Sequence, residues 1–234
     1  MIWISSDWHW GHFNVIRYCN RPYTTTMEMN QAIVDQCNKQ VKEDDTLYIL
    51  GDVAVNPEMV EIYLPKIKCK NIHLIAGNHD PVFIRPDTKN VAKREQMIRR
   101  YLRAGFKSVQ QELWITISKP RKGILGLLGF KKKYKVQMSH FPFAPKTNDK
   151  SNGDTRYLNC RPIDQGQILL AGHSHSYYRK NGRQIDVGFD GDLKLFSEYD
   201  IIDLIEDPRE YIPSPITEYY KNRKDYLIKD TTNE

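Results

Sequence analysis

Residues 2–9 have the sequence Ile-Trp-Ile-Ser-Ser-Asp-Trp-His, a short apolar run that ends at an aspartate and a histidine. The apolar residues 2–4 predict a β-strand, and Asp7 and His9 lie just beyond its carboxyl end. Side chains two residues apart in an extended chain point to the same side, roughly 7 Å apart. We therefore expect Asp7 and His9 to face one site at the edge of a sheet, where ligands bind in open α/β proteins.

Four further clusters of polar donors follow predicted strands in the same way. They are Gly51-Asp52, Gly77-Asn78-His79-Asp80, Ser139-His140 and Gly172-His173-Ser174-His175. Six of the seven histidines lie just beyond a predicted strand, and only His73 lies within one. Histidines scattered by chance would not collect at strand ends, so we predict that the five clusters converge on one site.

The order of predicted elements indicates an α/β protein. Strands are predicted at 2–4, 46–50 and 71–76, and helices at 27–41, 59–67 and 91–102. This alternation favours a largely parallel sheet with right-handed crossovers. The second half is rich in strands, predicted at 113–117, 134–138, 167–171, 184–187 and 199–204, with a short terminal helix at 219–227. We expect two packed sheets with helices outside.

Length and composition favour one globular domain. The 234 residues fit a single domain over residues 1–206 with a C-terminal extension over 207–234. A run of eighteen apolar residues and a basic leader are both absent, so we expect a soluble, cytoplasmic protein with no transmembrane segment. Cys19, Cys37, Cys69 and Cys160 form no CxxC pair and are expected to be free thiols.

The positive charge of the chain is concentrated in one segment. The chain has 35 Lys and Arg residues and 29 Asp and Glu residues, a formal net charge of +6. Residues 119–135 hold seven of the basic residues and no acid, and the remaining 28 basic and 29 acidic residues give −1. Overall basicity is therefore weak evidence for nucleic-acid binding, and residues 119–135 are the better guide to partners.

The strand-end clusters supply a donor set for metal ions. Its members are oxygen and imidazole donors without thiolate: Asp7, His9, Asp52, Asn78, His140, His173 and His175. This mixture suits Mn²⁺, Fe²⁺ or Zn²⁺ better than Mg²⁺ or Ca²⁺. Seven donors are too many for one tetrahedral ion, but they fit two ions about 3.5–4 Å apart that share a carboxylate. Such a site keeps a positive charge and attracts phosphate.

These motifs resemble the calcineurin-like metallophosphoesterase superfamily. Ser6-Asp-Trp-His-Trp-Gly-His-Phe-Asn-Val-Ile-Arg17 and Arg21-Pro-Tyr23 are similar to a small bacterial and phage branch of it. The resemblance covers residues 1–203 apart from 119–135, and it implies a four-layer α/β/β/α sandwich of two mixed sheets. It also implies that Asp7, His9 and His175 bind one metal, that Asn78, His140 and His173 bind the other, and that Asp52 bridges them.

The resemblance also implies roles for residues that do not bind metal. His79 would contact the phosphate or protonate the leaving oxygen, and Asp80 would orient its ring. Apart from the resemblance, His12 and Asn14 follow the first cluster by three and five residues and are candidate substrate contacts, with support of the loop as the alternative. Arg17, Arg21 and Arg156 are candidate phosphate contacts, with a structural or solvated role as the alternative.

The expected reaction is phosphate-ester hydrolysis by in-line attack of a hydroxide that bridges two divalent ions. Mn²⁺ is the expected metal, with Fe²⁺, Zn²⁺ or Ni²⁺ as alternatives. The substrate is a phosphate ester, including a nucleotide or nucleic acid, and a phosphodiester is favoured over a monoester because no dense arginine cluster awaits a dianion. Two other classes stay open: a helical HD-type phosphohydrolase with the dyad His79-Asp80, and a non-catalytic binding protein on a phosphatase fold.

Residues 119–135 lie between two predicted strands, which predicts a hairpin extension. Its apolar centre, Ile124-Leu-Gly-Leu-Leu-Gly-Phe130, is flanked by lysines on both sides. A loop folded onto the body is one interpretation. The alternatives are a surface for self-association or a partner, a contact with an anionic membrane surface, a nucleic-acid grip, or a flap that gates the site near His140.

Overall fold

The computed structural model describes residues 1–84, 91–145 and 157–221. Within these residues the first sheet has five strands, in the spatial order β10 (Phe196–Ser197), β1 (Ile2–Ser5), β2 (Thr46–Ile49), β3 (Asn71–Ile75) and β4 (Phe106–Gln110). Strands β1 to β4 run parallel, and β10 pairs antiparallel with β1. The carboxyl ends of β1, β2 and β3 therefore share one edge of the sheet.

In the described part of the chain, the second sheet has six strands. Their spatial order is β11 (Tyr211–Ile212), β8 (Lys180–Asn181), β9 (Gln184–Asp186), β7 (Ile168–Ala171), β6 (Lys131–Ser139) and β5 (Glu112–Pro120). The three central strands β6, β7 and β9 run parallel, and the remaining pairs are antiparallel. As in the first sheet, the parallel strands end at a common edge.

Helices flank the two sheets, and the α/β prediction with two mixed sheets is confirmed. They are α1 (Phe13–Tyr18), α2 (Thr26–Gln40), α3 (Pro57–Tyr63), α4 (Val91–Ala104), α5 (Ile124–Leu127), α6 (Glu198–Glu206) and α7 (Thr217–Lys221), with 3₁₀ turns at Leu64–Lys66 and Leu158–Cys160. The Thr25 hydroxyl caps α2 by accepting the N–H of Glu28. In the described part of the chain, each helix is too short or too polar to cross a bilayer.

The sheets are held together by an apolar layer between them. Ile4 and Leu50 of the first half pack with Val136, Met138 and Leu170 of the second half, and all five are fully buried. A second core lies between the first sheet and its helices, where Ile33 and Cys37 belong to α2. The two cores fix both sheets relative to each other and so set the distance between their strand ends.

One predicted strand is wrong, and four of the described strands, β4, β8, β10 and β11, were not predicted. Residues 199–204 were expected to be extended but lie in α6, which begins with a capping box between Ser197 and Asp200. Ile201 and Ile202 of this helix are buried, and tertiary burial explains the apolar run. Strand β4 was not predicted because its sequence, Phe-Lys-Ser-Val-Gln, is mostly polar. The four cysteines are free thiols, as expected.

The described part of the C-terminal extension packs on the body. Strand β11 pairs with β8, the Ser214 hydroxyl donates to the backbone carbonyl of Ser176, and Ile216 and Tyr220 are buried. Of the helix predicted at 219–227, α7 includes residues 219–221, and residues 222–227 lie outside the described chain.

Candidate metal centre

The predicted donor clusters come from loops at the carboxyl ends of strands in both sheets. Asp7 and His9 follow β1, Asp52 follows β2, and Asn78 follows β3, whereas His140 follows β6 and the pair His173 and His175 follows β7. Backbone hydrogen bonds join neighbouring loops: the N–H of Asp7 donates to the Gly51 carbonyl at 3.0 Å, and the N–H of Gly172 donates to the His140 carbonyl at 3.0 Å. The packing of the sheets thus brings both sets of loops to one place.

The backbone at these positions is left-handed rather than extended. The φ angle is 59° at Asp7, 53° at His9, 53° at Asp52, 67° at His173 and 48° at His175. The prediction that Asp7 and His9 lie in extended backbone is therefore wrong, because the chain turns sharply where β1 ends. Asp and His tolerate this region better than most residues, and clusters of such strained residues mark functional sites.

Two glycines allow the loops to approach closely. A Cβ atom on Gly172 would lie 1.9 Å from the Ser6 hydroxyl oxygen, and one on Gly77 would lie 2.2 Å from Oδ1 of Asp52. Both distances are far below contact, so a side chain at either position would displace a donor loop. The glycines of the two motifs are required by this close packing.

One group of donors consists of Asp7, His9 and His175, with ligand atoms within 4.8 Å of one another. His9 is buried, and neither of its ring nitrogens has a hydrogen-bond partner among the described residues. Burial holds the pKa of His9 well below its usual value, which keeps the imidazole neutral. Buried polar atoms are rarely left without partners, so these nitrogens fit a metal ion.

A second group consists of Asp7, Asp52 and His140, again within 4.8 Å. The Nδ1 of His140 donates to the Leu50 carbonyl at 2.8 Å, which directs Nε2 toward Oδ1 of Asn78 at 3.1 Å. A hydrogen bond from the far ring nitrogen is the usual way to orient a metal-binding histidine. The ring of His173 lies beside this group, with its centroid 5.2 Å from that of His140.

Asp52, a member of the second group, also lies beside His9 of the first group. Its Oδ2 is 3.6 Å from Nε2 of His9 and 3.4 Å from Nε2 of His140. The carboxylate therefore faces one imidazole from each sheet, which is the position a bridging ligand requires.

The electrostatics of the cluster reflect its burial. Burial raises the pKa of Asp7 to about 6. Burial would also raise the pKa of Asp52, but the charge of His140 and its hydrogen bond hold that pKa well below the usual value. Burial would lower the pKa of His140, yet the Asp52 carboxylate raises it to about 9. Two buried carboxylates among imidazoles fit divalent cations, which would compensate their charge.

Asp80 contacts backbone amides rather than the ring of His79. Its carboxylate accepts the N–H of Gly77 at 2.8 Å, of Asp52 at 2.9 Å and of Val53 at 3.1 Å. The sequence predicts that Asp80 orients the ring of His79. In the structure its carboxylate instead joins the loop after β2 to the loop after β3. Burial, followed by the charge of Asp52, raises the pKa of Asp80 to about 7. His79 itself is 35% exposed, with Nε2 4.0 Å from Oδ2 of Asp52.

Of the three expected substrate contacts, the structure describes His12 and Asn14. His12 lies at the site, with its ring centroid 5.4 Å from that of His9 and 6.3 Å from that of His79. Asn14 is exposed in the first turn of α1. Arg156 lies outside the described residues.

Sequence reasoning missed the acid that orients His175. Asp190 accepts a hydrogen bond from Nδ1 of His175 at 2.9 Å, and the Arg21 guanidinium holds both Asp190 oxygens at 2.6 and 3.1 Å. Arg21 thus has a structural role, the second of the two roles expected for it. The signal was present in the sequence, because Asp190 follows β9 between Gly188 and Gly191, just as the other clusters follow their strands.

Comparisons with known proteins find a family model, relatives and a solved structure that are similar to this chain. The sequence model of calcineurin-like phosphoesterases matches residues 1–177. The chain is 29% identical over 211 residues to the Gene 66 protein of Mycobacterium phage L5, covering 87% of this chain and 93% of that protein. It is 36% identical over 81 residues to an uncharacterized protein of Methanocaldococcus jannaschii, covering 34% of this chain and 46% of that protein. A crystal structure of a protein of unknown function from Aquifex aeolicus has the same fold, with a TM-score of 0.52 at 20% identity, covering 87% of this chain and 98% of that chain.

Proposed function

Since the chain belongs to the calcineurin-like phosphoesterase family of metal-dependent phosphoesterases, we propose that it hydrolyses phosphodiesters at a site for two divalent ions. Asp7, His9 and His175 would hold one ion, Asn78, His140 and His173 the other, and Asp52 both. Mn²⁺ is the metal proposed, because oxygen and imidazole donors suit it. The observation that carries the proposal is the position of the Asp52 carboxylate between Nε2 of His9 and Nε2 of His140.

The protein's own residues supply orientation and proton transfer. Two bound ions would lower the pKa of a water molecule and withdraw negative charge from the phosphate. His140 and His175 are held in fixed orientations by the Leu50 carbonyl and by Asp190. His79 is the exposed imidazole beside Asp52, and we assign it to hydrogen-bonding the phosphate or protonating the leaving oxygen.

The preference for diesters rests on the surroundings of Arg21. Its guanidinium is buried on Asp190 and donates to the backbone carbonyls of Asp7 and Trp8 at 2.6 and 2.8 Å. The guanidinium of Arg21 is therefore occupied by hydrogen bonds within the protein and is not available to bind the dianion of a phosphate monoester. A diester carries one negative charge and needs less cationic assistance beyond the ions.

The structure argues against the helical HD-type alternative. That class places its metal ligands on helices, whereas each described donor in this cluster follows a strand. A non-catalytic protein on the same fold would be expected to lack donors, and the seven expected side chains are all present.

The proposal is tested with Asp52→Asn, which keeps the shape of the side chain but removes its charge. We expect elemental analysis of the wild-type protein to give two metal equivalents, and hydrolysis of bis(p-nitrophenyl) phosphate to require Mn²⁺. Asp52→Asn should lower turnover on the order of 10²-fold or more with an unchanged circular dichroism spectrum. Asp203→Asn, on the exposed side of α6, is the matched control and should behave like the wild type. Faster turnover of p-nitrophenyl phosphate than of the diester would overturn the diester assignment, and undiminished turnover in Asp52→Asn would overturn the bridge.

A further inference from the structure

The segment rich in lysine, residues 119–135, forms the far half of a long antiparallel hairpin. Strands β5 and β6 pair from Glu112–Ser139 at one end to Pro120–Lys131 at the other. We call residues 121–133 the hairpin tip. It is an ordered turn: Gly123 and Gly129 adopt φ angles of 70° and 82°, α5 forms a single turn, and the N–H of Arg121 donates to the Phe130 carbonyl at 2.9 Å.

The hairpin tip presents apolar side chains to solvent. The exposed fraction is 73% for Ile124, 88% for Leu127, 68% for Leu128 and 56% for Phe130. Single exposed apolar residues are ordinary, but a contiguous group of this kind marks an interaction surface. The described residues of the body do not cover it, so the interpretation as a loop folded onto the protein is not supported.

Basic residues border this apolar group on both sides. Lys119 and Lys132 pair with Glu206 of α6 at 2.6 and 2.9 Å, which anchors the two strands to α6 where they enter the hairpin tip. On either side of Lys119 and Lys132 along the hairpin, Arg121, Lys122, Lys131 and Lys133 make no ion pair with the described residues. The tip therefore combines exposed apolar side chains at its end with four basic residues that have no ion pair in the described chain. We call these four residues, Arg121, Lys122, Lys131 and Lys133, the collar.

We propose that the hairpin tip binds the surface of a bilayer that contains anionic lipids. Aliphatic side chains at the end of the turn would enter the boundary between headgroups and acyl chains, and the collar would meet lipid phosphates. Charge complementarity selects this occupant, since the tip holds no acid. Two copies of the tip would bring like charges together, and a nucleic acid would leave the aliphatic side chains without partners.

The hairpin tip lies far from the candidate metal centre. His140 follows the carboxyl end of β6, whereas the turn of the tip, residues 121–130, precedes its amino end, and the nine extended residues of the strand span about 30 Å. The structure therefore does not support a flap that gates the site. A protein bound through the tip would keep its metal centre away from the lipid, so the surface can be tested independently of hydrolysis.

The test is co-sedimentation of the full chain with vesicles of phosphatidylcholine alone or mixed with phosphatidylglycerol. We expect the wild type to sediment with the mixed vesicles only, and less so at high salt. The double variant Leu127→Ser/Leu128→Ser should bind them roughly tenfold more weakly or not at all. Ile163→Ser, which changes an apolar residue that is 69% exposed outside the tip, is the matched control and should bind like the wild type.

Three results would overturn the proposal: no binding of the wild type to the mixed vesicles, equal binding by the double variant, or a loss of binding in Ile163→Ser as large as in the double variant. Duplex DNA and the oligomeric state are measured in parallel. Binding to DNA or dimerisation that depends on the tip, without binding to vesicles, would assign the surface to those partners instead. Unchanged circular dichroism and phosphoesterase activity establish that the double variant is folded.

Discussion

Arg21, Asp190 and His175 form a chain of contacts that fixes one metal ligand. Asp190 accepts from Nδ1 of His175, and Arg21 holds the Asp190 carboxylate while donating to the backbone carbonyl of Asp7. All three side chains are thereby tied to the loop after β1. We infer that Asp190 and Arg21 are positioning residues: they leave Nε2 of His175 free to face Asp7 and His9.

Asp190→Asn tests this role. The amide cannot serve as a carboxylate partner for both Arg21 and His175, so the imidazole should lose its fixed orientation. We expect affinity for Mn²⁺ to fall about 10- to 100-fold, measured by competition with a fluorescent chelator. Asp192→Asn is the matched control, because Asp192 pairs with Arg179 rather than with a metal-centre residue. Equal affinities in the two variants would show that Asp190 does not position His175.

At the scale of elements, the loop after β7 is pressed against the loop after β1. Gly172 lies where a methyl group would meet the Ser6 hydroxyl at 1.9 Å and the Asp7 carboxylate at 2.6 Å. The Ser6 hydroxyl also donates to the Leu50 carbonyl at 2.7 Å, so it cannot move away freely. This contact joins a loop of the second sheet to a loop of the first.

Gly172→Ala should separate these loops. Overpacking of this kind costs about 1–3 kcal/mol, and the displaced Asp7 should weaken metal binding as well. Thermal unfolding and metal titration check both effects. Gly182→Ala is the control, since the nearest described atom to its added carbon would be 3.9 Å away. Alanine at this position would be strained by the positive φ angle of 57° but not by a close contact. A Gly172→Ala protein with normal stability and metal content would contradict the close approach.

For the strands, the sequence pattern predicted several ends but not every element. Short apolar runs that end in Asp, Asn or His located the ends of five strands, because buried parallel strands have this composition. The run Ile201-Ile202 was misleading: alternation and burial are ambiguous over six residues, and the Ser197–Asp200 capping box was the decisive signal. The polar sequence of β4 hid a strand whose pairing depends on its neighbour β3.

At the scale of the whole molecule, the sequence predicted which residues gather but not how they face one another. The left-handed backbone at Asp7 and His175 depends on loop packing between sheets, which no local pattern encodes. The partners of Asp80 and Asp190 likewise come from distant loops. The donor types could be predicted because metal chemistry restricts them. The partners of Asp80 and Asp190 could not be predicted, because they depend on the tertiary structure.

The candidate centre takes donors from both sheets, so bound ions would connect the two halves of the molecule. Asp7, His9, Asp52 and Asn78 belong to loops of the first sheet, and the three other donors follow β6 and β7. Without ions, the buried Asp7 and Asp52 carboxylates lie close together. Metal binding should therefore stabilise the folded protein by linkage, in addition to supporting hydrolysis.

Removal of metal should lower the unfolding temperature of the whole protein. A ligand present at 100 times its dissociation constant contributes about 2.7 kcal/mol, which corresponds to roughly 5–10 °C for a chain of this size. Calorimetry with chelator and with added Mn²⁺ measures the shift, and Asp52→Asn should show a smaller one. Because the ions would join both sheets, hydrogen exchange should slow in the loops after β1 and after β7 together. Protection confined to one sheet, or an unfolding temperature that does not respond to Mn²⁺, would contradict a centre shared between the sheets.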